Sequence, residues 1–273
     1  MSDAKNDMSF LDHLEVLRWT LIRSSLSILV FSAIAFTFKD FIFEKIILKP
    51  KDPSFATYEF LCNISQKLGT DGLCIDEIPF LVQSRTMAGQ FSAHIWTAIA
   101  VGFILAFPFI LFEFWKFIKP GLYDNEKKHA RLFIFVSSLL FFIGVLFGYY
   151  VITPLSVNFL GSYRVAEEVK NNIDLASYIG LLKASCLSAG LLFELPVIIF
   201  FLTKLGLVTP EFLKKYRKYA IVLVLILAAL ITPPDVISQI IVTIPMVILY
   251  ELSIKISKFI VKKEKKAELK KQK

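Results

Sequence analysis

Long uncharged stretches alternate with short polar segments along the chain. Residues 24–38 carry no charge, and 19–22 extend that run upstream past Arg23. Residues 86–112 contain no acid, lysine or arginine, and 132–163 are uncharged throughout. Residues 173–203 are interrupted only by Asp174, Lys183 and Glu194, while 219–234 and 236–250 are uncharged but short. A membrane-spanning helix needs roughly 20 mostly apolar residues. The pattern therefore predicts six spans, four of ordinary length and a short final pair. The Thr232-Pro233-Pro234-Asp235 connection makes that pair a tight hairpin, with Pro233, Pro234 and Asp235 in structural roles, because neither proline fits a helix interior. The runs are continuous rather than alternating, which excludes a transmembrane β-barrel. The expected fold class is an all-α membrane protein.

Composition agrees with this reading. Of 273 residues, 56% are hydrophobic and 20% charged, with a mean hydropathy of +0.64; soluble domains carry about 25% charge. The net charge of +8 lies mostly in particular connections, where it reports orientation. Segments 113–131 and 204–218 hold five lysines and arginines each and the tail from Lys255 holds nine, whereas 154–173 holds two and the 232–235 turn none. The N-terminus, the second and fourth loops and the C-terminus are accordingly expected in the cytoplasm. The first loop, 41–90, is placed outside. This gives a six-span domain over 1–254 and a basic cytoplasmic tail over 255–273. No cleavable signal peptide is expected before the first span, because the N-terminus is polar and mixed in charge. The positive charge is read as topology rather than nucleic-acid binding. The lysine-rich tail either touches anionic lipid or is simply solvated.

Cys62 and Cys74 lie twelve apart in the outer loop. Outside the membrane such a pair can form a disulfide or stand as two free thiols. Cys186 falls in the fourth span, where packing is its expected role. His13, His94 and His129 lie in different segments, and none pairs with cysteine at zinc-ligand spacing. No Walker A sequence, GxGxxG or HExxH occurs, so the chain shows no means of hydrolysing a nucleotide or holding a catalytic metal. No cofactor, no metal and no enzymatic activity are expected.

The remaining signals are polar groups in an apolar solvent. Glu194 lies about 12–15 Å from the cytoplasmic end of its span at 1.5 Å per residue. A charge there costs at least about 2.5–3.5 kcal/mol, so it faces protein, water or a partner helix. It serves either packing or a functional polar site. Pro196 removes a backbone hydrogen bond beside it and kinks the helix. Lys183 shares its face three turns away. Gln239, one turn after Asp235, sits near the outer leaflet beside a short helix and offers hydrogen bonds to another membrane helix. Gly144-x-x-x-Gly148 permits a close helix contact, or is ordinary small-residue packing. At the N-terminus, Phe10, Leu14, Leu17 and Leu21 form one apolar face of an interfacial helix leading into the first span. Asp12, Glu15 and Arg18 lie off that stripe.

Four ordered motifs resemble a known family. His13-Leu14-Glu15-Val16-Leu17-Arg18, Phe117-Ile118-Lys119-Pro120-Gly121-Leu122-Tyr123-Asp124-Asn125-Glu126, Phe193-Glu194-Leu195-Pro196 and Thr232-Pro233-Pro234-Asp235-x-x-Ser238-Gln239 followed by Ile244-Pro245-Met246 look like TatC. That family supplies the multispanning subunit of the twin-arginine protein translocase. The resemblance runs from about Ser9 to Glu251. It implies a six-helix, cup-shaped bundle in the bacterial inner membrane. It also implies a receptor that binds twin-arginine signal peptides of folded cargo, recruits TatA/TatB-type single-span partners and self-associates, with export driven by the proton-motive force. By the same resemblance, Glu126 and Phe117 contact the arginine pair with Glu15 and Arg18, Glu194 is the intramembrane polar site, and Gln239 and Pro245 meet the partner helix. Carboxylates are apt partners for guanidinium forks.

Two departures stand out. Val16 occupies the position of the family's N-terminal glutamate and Glu15 its variable position, which turns the carboxylate about 100° around a helix. The outer loop is longer than the family pattern, and its cysteine pair is extra. Two other classes are weighed against the resemblance. A proton-coupled small-solute transporter would use Glu194, but the internal repeat common in such folds is absent. An intramembrane protease would need a serine–histidine pair or two aspartates within the membrane, and none is evident.

Overall fold

The computed structural model describes residues 10–67, 69, 74–75, 78, 80–118, 130–169, 171–232 and 235–271. Glu126, Pro233 and Pro234 lie outside them. Helices dominate: α1 (Phe10–Thr37), α2 (Ala56–Lys67), α3 (Gly89–Ile118), α4 (Ala130–Phe147), α5 (Thr153–Ser162), α6 (Leu175–Phe193), α7 (Leu195–Lys204), α8 (Pro210–Lys215), α9 (Arg217–Ile231) and α10 (Val236–Lys271). Among the described residues, five stretches are long and apolar enough to cross a membrane: Leu14–Thr37, Gly89–Phe117, Leu132–Ser162, Leu175–Lys204 and Ser238–Lys263. The predicted fifth span is α9, whose 15 residues extend only about 22 Å at 1.5 Å per residue.

The last helix corrects one expectation. Its uncharged run ends at Tyr250, but the helix is 36 residues long and reaches Lys271. Hydropathy stops there; helix formation does not, because the sequence beyond is rich in lysine and glutamate, which are good helix formers. The final pair is thus one short helix and one long one. The third predicted span is present as Leu132–Ser162, with an internal irregularity. A π-helical turn at Gly148–Ile152 divides α4 from α5, and Pro154 opens α5, where a missing N–H is tolerated.

The chain divides into two compact units, residues 1–39 with 94–139 and residues 40–93 with 140–273. In the first, α1 packs on α3 through small residues. A side chain on Gly102 would meet the backbone of Ser32 at 2.6 Å, so the two helices touch backbone to backbone. Phe31 and Phe109 meet at 5.5 Å. Phe36 stacks on His94 at 3.9 Å, and the His94 Nε2 lies 3.1 Å from the Phe36 carbonyl oxygen. Leu26 and Leu29 are exposed, as suits a face turned to lipid.

In the second unit, Gly144-x-x-x-Gly148 is a helix contact. A Cβ on Gly144 would lie 2.6 Å from the Ala189 carbonyl oxygen, and one on Gly148 2.5 Å from that of Ser185. Ile152, Ala189, Val224, Ala228, Val242 and Met246 form a buried core that joins α6, α9 and α10.

The chain between α1 and α3 forms a platform. A π-helical turn (Phe41–Ile47) and a 3-10 turn (Lys49–Lys51) lead to α2, and Cys62 is disulfide-bonded to Cys74. β1 (Leu81–Gln83) pairs in parallel with β2 (Asn172–Asp174), tying this loop to the one before α6. Tyrosines supply the buried links. Tyr58 donates to the carbonyls of Pro50 and Pro154, both at 2.9 Å. Tyr149 donates to Ile46 at 2.9 Å, and Tyr178 to Ile47 at 2.8 Å. Burial pushes the Tyr58 hydroxyl above its ordinary pKa. At the edge, hydrogen bonds from the Lys49 ammonium and from Ser54 hold the Asp52 carboxyl at about 2.

Candidate functional site

The residues singled out in the sequence fall into both units. In the first, Glu15 and Arg18 lie exposed on α1 and Phe117 is half-buried in the last turn of α3. The Arg18 guanidinium sits 5.6 Å from the centre of the Trp19 ring. α1 is one continuous helix from Phe10, so the N-terminal motif belongs to the same rod that continues into the first span.

An ion-pair cluster neighbours these residues. Glu113, one turn before Phe117, lies 3.5 Å from Arg23 of α1 and also pairs with Lys116. Lys116 lies over the Phe112 ring at 4.2 Å. Trp115 stacks on Phe133 at 5.0 Å, linking α3 to α4. The sequence reading did not find the Arg23–Glu113 pair, whose members are 90 positions apart. The one available signal was an arginine inside the first predicted span and a glutamate just after the second. The arrangement presents a carboxylate and several cations at one end of the α1–α3 pair, beside a ring. Such a surface suits recognition of charged peptide rather than covalent chemistry.

In the second unit, Glu194 is only 6% exposed and stands at the junction of α6 and α7. Pro196 occupies the first turn of α7, where its missing N–H costs nothing. The backbone carbonyl of Glu194 accepts from the N–H groups of Val197 and Ile198, both at 2.9 Å. The fourth span is therefore two helices with a carboxylate at their joint. Irregular backbone at such depth is tolerated where protein surrounds it.

Asp235 caps α10, accepting from the Ser238 N–H at 2.9 Å and hydroxyl at 2.6 Å. One turn on, the Gln239 carboxamide donates to the Leu225 carbonyl of α9 at 3.4 Å. Gln239 thus ties the hairpin within the chain, and its side chain stays half-buried. Pro245 is half-buried inside α10.

The chain is similar to known proteins over most of its length. The family described as Sec-independent protein translocase protein (TatC) matches residues 12–245. A Sec-independent protein translocase protein TatC from Blattabacterium sp. subsp. Periplaneta americana is 41% identical over 266 residues, spanning 97% of this chain and all of that one. The protein of the same name from Aquifex aeolicus is 34% identical over 261 residues, 94% of this chain and 98% of that one. A crystal structure of a twin arginine translocase receptor, TatC, superposes with a TM-score of 0.67 at 32% identity, covering 90% of this chain and 98% of that one. A second, in DDM, gives 0.69 at 33% identity over 90% and 99%. The motifs, the helices and these likenesses together make the chain a member of the TatC family, a multi-pass membrane component of the Sec-independent protein translocase.

Proposed function

We propose that the chain is the core receptor of a twin-arginine translocase in a bacterial inner membrane, with both termini in the cytoplasm. It binds twin-arginine signal peptides of folded cargo and recruits TatA/TatB-type partners for export driven by the proton-motive force. The observation that carries this reading is the family match over residues 12–245, which includes all the residues of the four motifs except Met246. In support, Glu15 and Arg18 are exposed on α1 and Phe117 closes α3 on the lysine-rich side. Glu126, eight residues beyond the end of α3, supplies the second carboxylate. Recognition uses charge-assisted, bidentate hydrogen bonds, the strong class for a guanidinium. Gln239 and Pro245 serve partner-helix contact, and the domain ends near residue 254 with a basic tail to 273.

Photocrosslinking from a probe at Asn125, in inverted membrane vesicles, tests the receptor role. An Arg-Arg signal peptide is expected to crosslink strongly and a Lys-Lys peptide to lose the crosslink. Equal yields from both would leave an unselective acidic loop. Glu194 acts after recognition, in partner assembly or transport. Glu194→Ala is expected to retain the Arg-Arg crosslink and lose export; normal export would reduce Glu194 to packing.

A further inference from the structure

Lys183 has no part in the receptor reading, and it stands where a charge is costly. It lies in the apolar stretch Leu175–Lys204, eight residues after the first residue of α6. At 1.5 Å per residue that is about 12 Å along the helix, and half of a hydrocarbon core is about 15 Å. A cation at such depth is rare; it pairs with another charge or faces water. Among the described residues, Lys183 belongs to no ion pair and no side-chain hydrogen bond. Glu194, the other charge inside the stretch, is about 16 Å further along the chain axis, beyond contact.

The two sides of α6 differ. Ile179, Leu182, Cys186, Ala189 and Phe193, spaced by three and four, form its buried stripe. That stripe packs within its own unit, on the π-helical turn, α5, α9 and α10. Lys183 stands beside the stripe, half-buried, at the edge of the opposite face. Ala184 next to it is exposed, and Leu191 two turns on is 51% exposed. One turn before Lys183, a side chain on Gly180 would meet nothing within 4 Å. This face of α6 is therefore open along three turns, with a cation at its margin.

We infer that this face of α6 receives a membrane helix of another protein, whose carboxylate at matching depth pairs with Lys183. Charge complementarity selects the partner: an acid within a span and a base within a span each lack water, and pairing offsets the desolvation of both. Gly180 and Ala184 let the second backbone approach closely, as small residues do between membrane helices. A lipid headgroup fits less well, because a phosphate about 12 Å away along the helix is further than a four-carbon stem extends.

Energy transfer from the labelled full chain to a synthetic Leu/Ala membrane helix, in phosphatidylcholine vesicles above neutral pH, tests this. Two versions of the helix are compared, with a single Glu or a single Gln about 12 Å from one end. The unaltered chain is expected to bind the Glu helix about tenfold more tightly. K183R should keep that preference, and K183Q should abolish it. K183E should prefer a helix carrying Lys at the same position. G180L, whose side chain enters open space, should weaken binding of both versions alike by blocking the face. Equal binding of the two helices by the unaltered chain would overturn the pairing. A preference that survives in K183Q would place the partner of the acid elsewhere. Loss of the preference when phosphatidylglycerol replaces part of the phosphatidylcholine would assign Lys183 to a lipid headgroup and overturn the helix partner.

Discussion

The platform built around α2 and the charged end of the α1–α3 pair use polar groups in opposite ways. In the platform, the hydroxyls of Tyr58, Tyr149 and Tyr178 are turned inward and spent on backbone carbonyls of irregular chain. At the end of α1 and α3, Glu15 and Arg18 stay exposed, and Glu113 is shared between two cations. Buried hydrogen bonds satisfied within the chain hold one arrangement, because breaking them leaves orphaned acceptors. Exposed charges cost little to rearrange and remain available to a ligand. The contrast separates a region fixed by internal hydrogen bonds from one whose charges remain at the surface. The disulfide, the β1–β2 pairing and the tyrosines fasten the described residues of that platform.

The largest effect should come from opening the disulfide. In the chain-entropy account, closing twelve residues stabilises by about 3 kcal/mol. Cys62→Ser with Cys74→Ser is expected to raise amide exchange across α2 and the neighbouring turns while leaving the α1–α3 end unchanged. Exchange rising equally in both regions would erase the distinction drawn above.

Next is Glu126→Gln. A charged hydrogen bond contributes about 1.5–3 kcal/mol, so binding of an Arg-Arg signal peptide should weaken on the order of tenfold to a hundredfold with the melting temperature unchanged. Unaltered affinity would move recognition to Glu15 or elsewhere. Tyr58→Phe should follow, at about 1–3 kcal/mol, since it leaves the Pro50 and Pro154 carbonyls without their shared donor. That loss should appear as lower thermal stability, and signal binding should be intact.

Much of this was readable from local pattern. Uncharged runs mark helices because the bilayer admits little else. Glu194 beside Pro196 marks a joint because a charge and a missing N–H both disfavour an unbroken apolar helix. The turn at Gly148–Ile152 escaped notice because no charge interrupts that run, and only Pro154 hinted at it. The length of α10 was hidden because hydropathy and helix propensity part company after Tyr250. The platform's tyrosine bonds were unreadable for another reason: Tyr178 and Ile47 are 131 positions apart, and nothing in a single sequence records that distance. The same holds for Arg23 and Glu113.

That last pair offers the smallest effect and the finest test of the comparison. The Arg23 side chain is 57% exposed and that of Glu113 13%, so water screens the attraction and its coupling should be below about 1 kcal/mol. A double-mutant cycle with Arg23→Gln and Glu113→Gln, read by thermal unfolding, should give a coupling near that limit or less. The same cycle read by signal-peptide binding should be larger, because freeing Glu113 from Arg23 leaves a carboxylate available to the peptide's arginines. If Glu113 is a strut, the two readouts will agree. If it belongs to the approachable region, stability will barely move while affinity for the Arg-Arg peptide rises in Arg23→Gln and falls in Glu113→Gln.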